Sequence, residues 1–139
     1  MGKSVKEVMS SKPCAIDADK PVSHAAKMMK DEGVGLAPVV EGNRLIGTLT
    51  DRDIVTRVVA EGKDADAVTA REAASTDLVT VTPQQDLDEA LQLMAKNQVR
   101  RLPVIEEDGR LVGVVAQADV ARQADDKKTG ELVAEISQN

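Results

Sequence analysis

The chain has 139 residues and a mass of 14.8 kDa, which predicts one compact unit or two very small ones that share a core. Folding a chain of this size buries roughly two thirds of its surface, so a core can form without disulfides or metal. With 24 acidic against 18 basic residues and no aromatic ring, the chain repels phosphate backbones and cannot stack bases. We therefore expect no nucleic-acid partner.

The sequence contains one cysteine, Cys14, and one histidine, His24, which limits the chemistry that it can perform. A single cysteine forms no internal disulfide and predicts a reducing, cytoplasmic setting. The usual zinc sites need more such residues, and we find no paired acid and base, activated nucleophile or Walker-type glycine loop. No apolar run is long enough to span a membrane, and no secretion signal follows the first lysines. We expect a protein that binds, with no metal site, no membrane partner and no enzymatic activity.

An internal repeat organises the chain. Displacing the sequence against itself by 65 positions pairs Pro38 with Pro103. After one extra residue in the second copy the offset becomes 66, and it pairs Asp53 with Asp119. Similar pairs run through most of the chain, so two copies of one unit fill it.

The repeat divides the chain into four parts. Residues 1–62 form repeat 1, and residues 63–68 are a polar connector. Residues 69–124 form repeat 2, and residues 125–139 are a charged tail with a short helix expected near 132–136. No effector domain is expected in the chain.

A capping box opens each repeat, with Ser4 and Glu7 in the first and Thr69 and Glu72 in the second. The hydroxyl and the carboxylate of this motif satisfy free amides at a helix start, so a short helix is predicted there. Next comes a β-rich segment, at 14–16 and at 78–81.

Apolar residues spaced three and four apart then predict an amphipathic helix in each repeat: Val22, Ala25, Ala26 and Met29, and Leu87, Ala90, Leu91 and Met94. Gly33 and Asn97 are the expected stops of these helices. A hairpin follows, with strands at 36–40 and 45–49 in repeat 1 and at 102–105 and 111–115 in repeat 2. Pro38 and Pro103 should weaken edge pairing of the first strands. With a last helix, the order helix, strand, helix, strand, strand, helix predicts an α/β (α+β) fold.

Each repeat closes with a motif in which Gly and two apolar residues precede an Asp, at 47–53 and at 113–119. With the Pro-Val strand ahead of each motif, the chain resembles a tandem pair of cystathionine-β-synthase (CBS) domains, often called a Bateman module. It resembles in particular the small stand-alone bacterial members of the hypoxic response protein type, which take part in stress responses.

The resemblance implies two CBS repeats related by a pseudo-twofold axis, with an adenine-containing nucleotide in the cleft between them. It implies a regulatory homodimer that modulates a separate, unidentified effector protein, with Met28, Met29 and Met94 in the core or on the dimer surface. No cofactor is required, and AMP, ADP, ATP and S-adenosylmethionine are the candidate ligands. The alternative is a structural or interaction protein of the same fold whose pockets no longer bind.

The family's ligand-binding positions map onto twelve residues of this sequence: Ile16, Ala37, Pro38, Thr50, Arg52, Asp53, Val81, Arg100, Arg101, Pro103, Gln117 and Asp119. The resemblance implies that Asp53 and Asp119 contact ribose hydroxyls. It implies that Thr50 and nearby basic residues contact phosphate, and that adenine lies among aliphatic side chains and strand backbone.

Both polar parts of this site also have an explanation without a ligand. Thr50 as N-cap and Asp53 in the first turn stabilise a helix start by about 1 kcal/mol. Arg100 and Arg101 fit solvated residues at a strand start as well as a phosphate site. The two repeats should bind unequally, because Ala116 replaces the hydroxyl in repeat 2 and repeat 1 lacks the arginine pair.

Overall fold

The structure, a computed structural model, describes residues 3–123, and the tail predicted at 125–139 lies outside them. The chain forms two compact units. We call Cys14–Leu78 the central unit, and we call residues 3–13 together with 79–123 the split unit. None of the helices in the described residues has the length and apolarity to cross a bilayer.

The elements follow the predicted order in repeat 1, whereas repeat 2 has no strand between its first two helices, so the predicted order is wrong there. They are α1 (Val5–Val8), β1 (Ile16–Asp17), α2 (Val22–Glu32), β2 (Leu36–Glu41), β3 (Arg44–Thr50), α3 (Asp51–Ile54), a π-helical segment (Val55–Val59), α4 (Ala70–Ala73), α5 (Leu87–Asn97), β4 (Arg101–Ile105), β5 (Leu111–Ala116) and α6 (Gln117–Ala121).

The central unit contains a three-stranded sheet in the order β1-β2-β3. Strands β2 and β3 are antiparallel, and Leu36 at the start of β2 lies opposite Thr50 at the end of β3. Strand β1 runs parallel to β2 and pairs first at Val39, the residue after Pro38. Pro38 is tolerated in a middle strand because β1 begins its pairing only at Val39, one residue after Pro38.

The split unit contains the matching antiparallel pair β4-β5. The predicted β segment at 78–81 is wrong in extent, because only Val81 forms a bridge, parallel to Val104. Its N–H donates to the Pro103 oxygen over 3.1 Å. The next residue, Thr82, gives its N–H to the Gln85 side chain instead of the ladder. The chain therefore leaves the sheet after a single bridge.

The predicted helix ends hold with one exception. Both capping boxes are present, at Ser4 and at Thr69. Gly33 ends α2 in the left-handed conformation, with φ 66°. Helix α5 runs through Asn97, and Gln98 takes the left-handed position with φ 57°, so Asn97 is not the stop. The Asn97 side chain donates instead to the Leu93 carbonyl over 2.8 Å, which keeps this residue within the helix.

Each unit has its own apolar core. The larger side chains in the core cluster of the central unit are Ile16, Val22, Met29, Val39, Leu49 and Val58. Those of the split unit are Val5, Val81, Leu87, Leu91, Met94, Leu102, Val104, Val115 and Val120. Aliphatic side chains alone fill both cores, as a sequence without aromatic residues requires.

The first short helix of each repeat packs in the unit formed by the other repeat. After α1, Ser10 forms a two-way backbone bridge with Val114 of β5, with N–O distances of 2.8 and 3.1 Å. After α4, Ser75 forms the same bridge with Thr48 of β3, at 2.8 and 2.9 Å. These bridges satisfy the outer edges of the hairpins. Each compact unit therefore contains one sequence repeat without its own first helix, together with the first helix of the other repeat.

The motif glycines lie where these bridges bring two backbones together. A Cβ atom on Gly47 would stand 2.9 Å from the Ser75 oxygen, and one on Gly113 would stand 2.7 Å from the Ser10 oxygen. Carbon atoms do not approach a backbone oxygen so closely, so only glycine fits at either position. The glycine that opens the closing motif is thus explained by the fold.

Candidate functional site

The structure places six of the predicted site residues in each unit. The central half-site consists of Ile16, Ala37, Pro38, Thr50, Arg52 and Asp53. The split half-site consists of Val81, Arg100, Arg101, Pro103, Gln117 and Asp119. In both, the polar residues lie where the first hairpin strand begins and the second ends, because that end of the hairpin leads into a helix.

In the central half-site, Thr50 and Asp53 form a capping box at the start of α3. The Asp53 N–H donates to Thr50 Oγ1 over 3.0 Å, and the Thr50 N–H donates to Asp53 Oδ2 over 3.0 Å. The ligand-free explanation of this motif is therefore realised in the structure. The hydroxyl and the carboxylate both act in holding the helix start.

The Asp53 carboxylate has further partners within the central unit. Ser75 Oγ donates to its two oxygens over 3.4 and 3.5 Å, and Arg57 Nε lies 3.9 Å from Oδ1. Arg57 also donates to the carbonyls of Ala73 and Ala74 at the end of α4, over 3.1 and 3.0 Å. Only 13% of the Asp53 side chain is exposed. Little of this carboxylate is therefore open to a ribose hydroxyl.

Sequence reasoning missed Ser75 and Arg57 as neighbours of Asp53. Ser75 did carry a signal, because it matches Ser10 at the repeat offset, but its role depends on the placement of α4 against β3. Arg57 lies four residues after Asp53 on a helical segment, a spacing that brings side chains to one face.

In the split half-site, Asp119 has no such constraint. Ala116 stands at the N-cap and offers no side-chain hydrogen bond. Asp119 is 43% exposed and forms an ion pair with Arg122, whose side chain is itself mostly exposed. An exposed pair of this kind contributes little to stability and is easily exchanged for another partner. The Asp119 carboxylate is therefore the more accessible of the two predicted ribose contacts.

Arg100 and Arg101 lie beside Asp119's helix. The Gln117 N–H at the start of α6 donates to the Arg100 carbonyl over 2.7 Å, and Arg101 lies opposite Ala116 in the sheet. Arg100 is exposed and Arg101 is half-buried. Within residues 3–123, neither guanidinium forms an ion pair or hydrogen bond. The split half-site thus presents two unpaired positive charges beside an accessible carboxylate.

The apolar members of both half-sites are buried: Ile16, Ala37, Pro38, Val81 and Pro103. Arg52 is exposed, and its side chain has no partner within the described residues. The polar and apolar residues of each half-site thus lie on or next to one hairpin.

A surface groove of about 610 Å³ lies elsewhere in the split unit. It is lined by Thr82, Gln84, Glu106, Glu107, Asp108 and Arg110, and it includes none of the predicted site residues. Three carboxylates against one arginine would repel a phosphate-bearing ligand. The groove is therefore not the predicted nucleotide site.

The family model for the CBS domain matches the chain twice, at residues 5–60 and 70–126. The chain belongs to the CBS-domain family. The two matches confirm the resemblance inferred from the closing motifs. They begin at the short helices that open the two CBS repeats.

Two curated relatives match nearly the whole CBS pair. The CBS domain-containing protein YhcV of Bacillus subtilis is 40% identical over 135 residues, which cover 96% of this chain and 95% of that protein. Hypoxic response protein 1 of Mycobacterium tuberculosis is 34% identical over 134 residues, covering 96% of this chain and 93% of that protein. The likeness to the hypoxic response protein type is therefore confirmed.

Solved structures confirm the fold class of this CBS pair. A structure of Hypoxic Response Protein I, with two coordinated zinc ions, has 35% identity and a TM-score of 0.80, covering 88% of this chain and all of that chain (100%). The CBS domain pair of protein MJ0100, in complex with 5′-methylthioadenosine and S-adenosyl-L-methionine, has 25% identity and a TM-score of 0.75. That match covers 88% of this chain and 95% of that chain.

Residues 3–123 contain no group of three or more His, Cys, Asp or Glu side chains that could hold a metal ion. Cys14 is half-buried, and its thiol donates to Glu32 Oε1 over 3.2 Å. This hydrogen bond, burial and the negative charge of Glu32 raise the pKa of the Cys14 thiol. A raised pKa disfavours the thiolate that metals bind.

Proposed function

We propose that this CBS pair is a regulatory module that binds an adenine-containing nucleotide and thereby changes its association with an effector protein. The observation that carries the proposal is the split half-site, where accessible Asp119 lies near the unpaired Arg100 and Arg101. The adenosine-derived ligands of the MJ0100 CBS pair support the same ligand class. With one cysteine and no disulfide to protect, a cytoplasmic location fits the proposal.

The chemistry of the split half-site suits a nucleotide. A carboxylate accepts both hydrogens of a vicinal diol, which is what a ribose presents. Guanidinium groups bind phosphate through two parallel hydrogen bonds. Because the whole chain carries a net charge of −6, attraction of an anionic ligand must come from a local positive group, and the arginine pair supplies one.

The second candidate is a structural or interaction protein with pockets that no longer bind. The internal hydrogen bonds of Asp53 favour this reading for the central half-site. The missing hydroxyl at Ala116 favours it for the split half-site. Titration with ligand separates the two candidates.

Replacing Arg101 by glutamine should weaken binding of AMP about tenfold and leave adenosine unaffected, because only AMP offers a phosphate for a charge-assisted pair. Calorimetric titration of AMP and adenosine into wild type and variant measures this. Arg44→Gln is the control, since Arg44 is likewise unpaired within the described residues but is exposed and lies at the far end of β3. Equal losses for both ligands would show that Arg101 supports the shape of the site. Absence of binding to the wild type would favour the interaction protein.

We further propose a homodimer, whose surface is not the one suggested by the methionines. Met29 and Met94 are buried in the cores, and Met28 packs against the central core. Within residues 3–123, the most exposed large apolar side chains are instead Val55 and Val59, at 57% and 65%. They lie four residues apart on one helical segment, and such exposed apolar pairs often mark association surfaces.

Changing Val55 and Val59 together to glutamate should halve the mass measured by light scattering, because buried carboxylates would oppose association. Ala67→Glu, at an exposed site in the connector, should leave the mass unchanged. A wild-type mass near that of one chain would contradict the dimer.

A further inference from the structure

The surface groove of the split unit lies at the turn between β4 and β5, at the opposite end of this hairpin from the candidate nucleotide site. Its carboxylates are those of Glu106, Glu107 and Asp108, and its one cation, Arg110, lies 4.0 Å from Glu106. Glu107 is exposed and makes no hydrogen bond or ion pair within residues 3–123. The groove therefore has an excess of negative charge and favours a cation.

The central unit shows which cation the equivalent place holds. At the repeat offset of 65, Glu106 matches Glu41 and Gln84 matches Asp19. The carboxylates of Glu41 and Asp19 hold the guanidinium of Arg71, which lies on α4. Its Nη2 donates to Glu41 Oε2 and lies 3.5 Å from Asp19 Oδ1. An arginine side chain thus fills, in the central unit, the place that corresponds to the groove.

Lys6 on α1 takes the backbone position of Arg71 in the split unit. The Arg71 N–H donates to the Ala18 carbonyl over 2.9 Å, and the Lys6 N–H donates to the equivalent Pro83 carbonyl over 2.9 Å. The Lys6 side chain is exposed and forms no ion pair with the rest of the described chain. Lysine also lacks the planar fork with which arginine binds two acceptors. Helix α1 therefore supplies no guanidinium to the groove.

The turn beside the groove is more acidic than its counterpart in the central unit. Repeat 1 has Gly42 and Asn43 between its two hairpin strands, whereas repeat 2 has Glu107, Asp108 and Gly109, which include the extra residue of this repeat. The longer turn adds two carboxylates where repeat 1 has none. The groove thus has three carboxylates, against the two that hold Arg71, although Gln84 has replaced one acid.

We propose that this groove is a docking site for an arginine side chain of a partner protein. The guanidinium takes the place that Arg71 has in the central unit, with Glu106 as its acceptor in the way that Glu41 is there. An arginine within a protein suits the groove better than free arginine, whose own carboxylate Glu107 and Asp108 would repel. One exposed ion pair is weak, so this arginine is one contact of a larger interface.

The inference names the kind of effector that the proposed function requires, and its test needs no nucleotide. N-acetyl-arginine amide, which carries the side chain without a free carboxylate, is titrated into nitrogen-15-labelled protein. The backbone amide signals of residues 106–110 should shift with a dissociation constant on the order of 1–10 mM, since the contact is a single exposed pair. N-acetyl-lysine amide should bind about threefold more weakly, because an ammonium cannot form two parallel hydrogen bonds.

Lys6→Arg is the decisive variant, because it places a guanidinium where Arg71 lies in the central unit. It should weaken binding of the arginine probe about fivefold, since a tethered competitor has an effective concentration in the millimolar range. Glu106→Gln should weaken the probe by a similar factor. Lys12→Arg, at an exposed position after α1, makes the same chemical change away from α4's counterpart and should leave the affinity unchanged.

Each other outcome overturns the inference in a distinguishable way. Unshifted signals at residues 106–110 in wild type would contradict the docking site. Equal binding of the lysine and arginine probes would show unspecific attraction of cations. Unchanged binding in Lys6→Arg would contradict the equivalence with the Arg71 position. Tighter binding of free arginine than of the blocked probe would assign the groove to an amino acid. Failure of AMP to bind would overturn the proposed nucleotide function and leave these results unaffected.

Discussion

Replacing Gly113 by alanine should lower the free energy of unfolding by about 3 kcal/mol, a large fraction of the stability of a small domain. The added methyl would stand 2.7 Å from both the Ser10 oxygen and Met9 Sδ. The Ser10 backbone cannot retreat without breaking its two-way bridge with Val114. Gly47→Ala should cost about 2 kcal/mol for the same reason, because its methyl would meet the Ser75 oxygen at 2.9 Å. Urea unfolding measures both changes.

Gly35→Ala is the matched control for these variants. Its Cβ would approach Asp51 Oδ2 at 3.1 Å, but that atom ends an exposed side chain that can rotate away. We expect a change within about 0.5 kcal/mol. If Gly113→Ala is as stable as Gly35→Ala, the close approach of Ser10 to β5 is contradicted.

Asp53→Ala should cost about 2 kcal/mol of stability, whereas Asp119→Ala should cost almost none. Removing the Asp53 carboxylate leaves the Thr50 N–H and the Ser75 hydroxyl without their acceptor in a part-buried place. Asp119 caps nothing and loses only an exposed ion pair. The effects on nucleotide affinity should be reversed, because the Asp119 carboxylate is the more exposed of the two and is held only by an exposed ion pair with Arg122. Thermal unfolding and AMP titration of both variants measure the two effects.

Asp53→Asn separates the capping role from the charge. An amide oxygen can still accept the Thr50 N–H, so this variant should recover most of the stability lost in Asp53→Ala. Loss of AMP affinity in Asp53→Ala but not in Asp119→Ala would contradict the assignment of the ligand to the split half-site.

The sequence predicted what depends on local patterning. Capping boxes, a period of 3.6 and paired apolar runs each involve residues close in the chain, so the elements and their order could be read directly. Two of these local expectations were nevertheless wrong. Gln98, not Asn97, adopts the left-handed conformation, and Thr82 leaves the sheet because the Gln85 side chain offers a competing acceptor.

The sequence predicted which residues form the candidate site, but not which hydrogen bonds and ion pairs they make. The repeat offset identified Asp53 and Asp119 as equivalents. It could not show that Ser75 donates to the Asp53 carboxylate, because that contact needs α4 to pack against the hairpin of the other repeat.

The exchange of first helices between the two repeats, α1 into one unit and α4 into the other, also sets the order in which the two units can fold during synthesis. The central unit is one continuous stretch, Cys14–Leu78, and has all its strands once its last residue has emerged. Ser10 must wait for Val114, more than one hundred residues later, before its backbone bridge can form. The split unit therefore cannot form until residues on both sides of the central unit in the sequence have been synthesised, and its long-range pairing is the slower step.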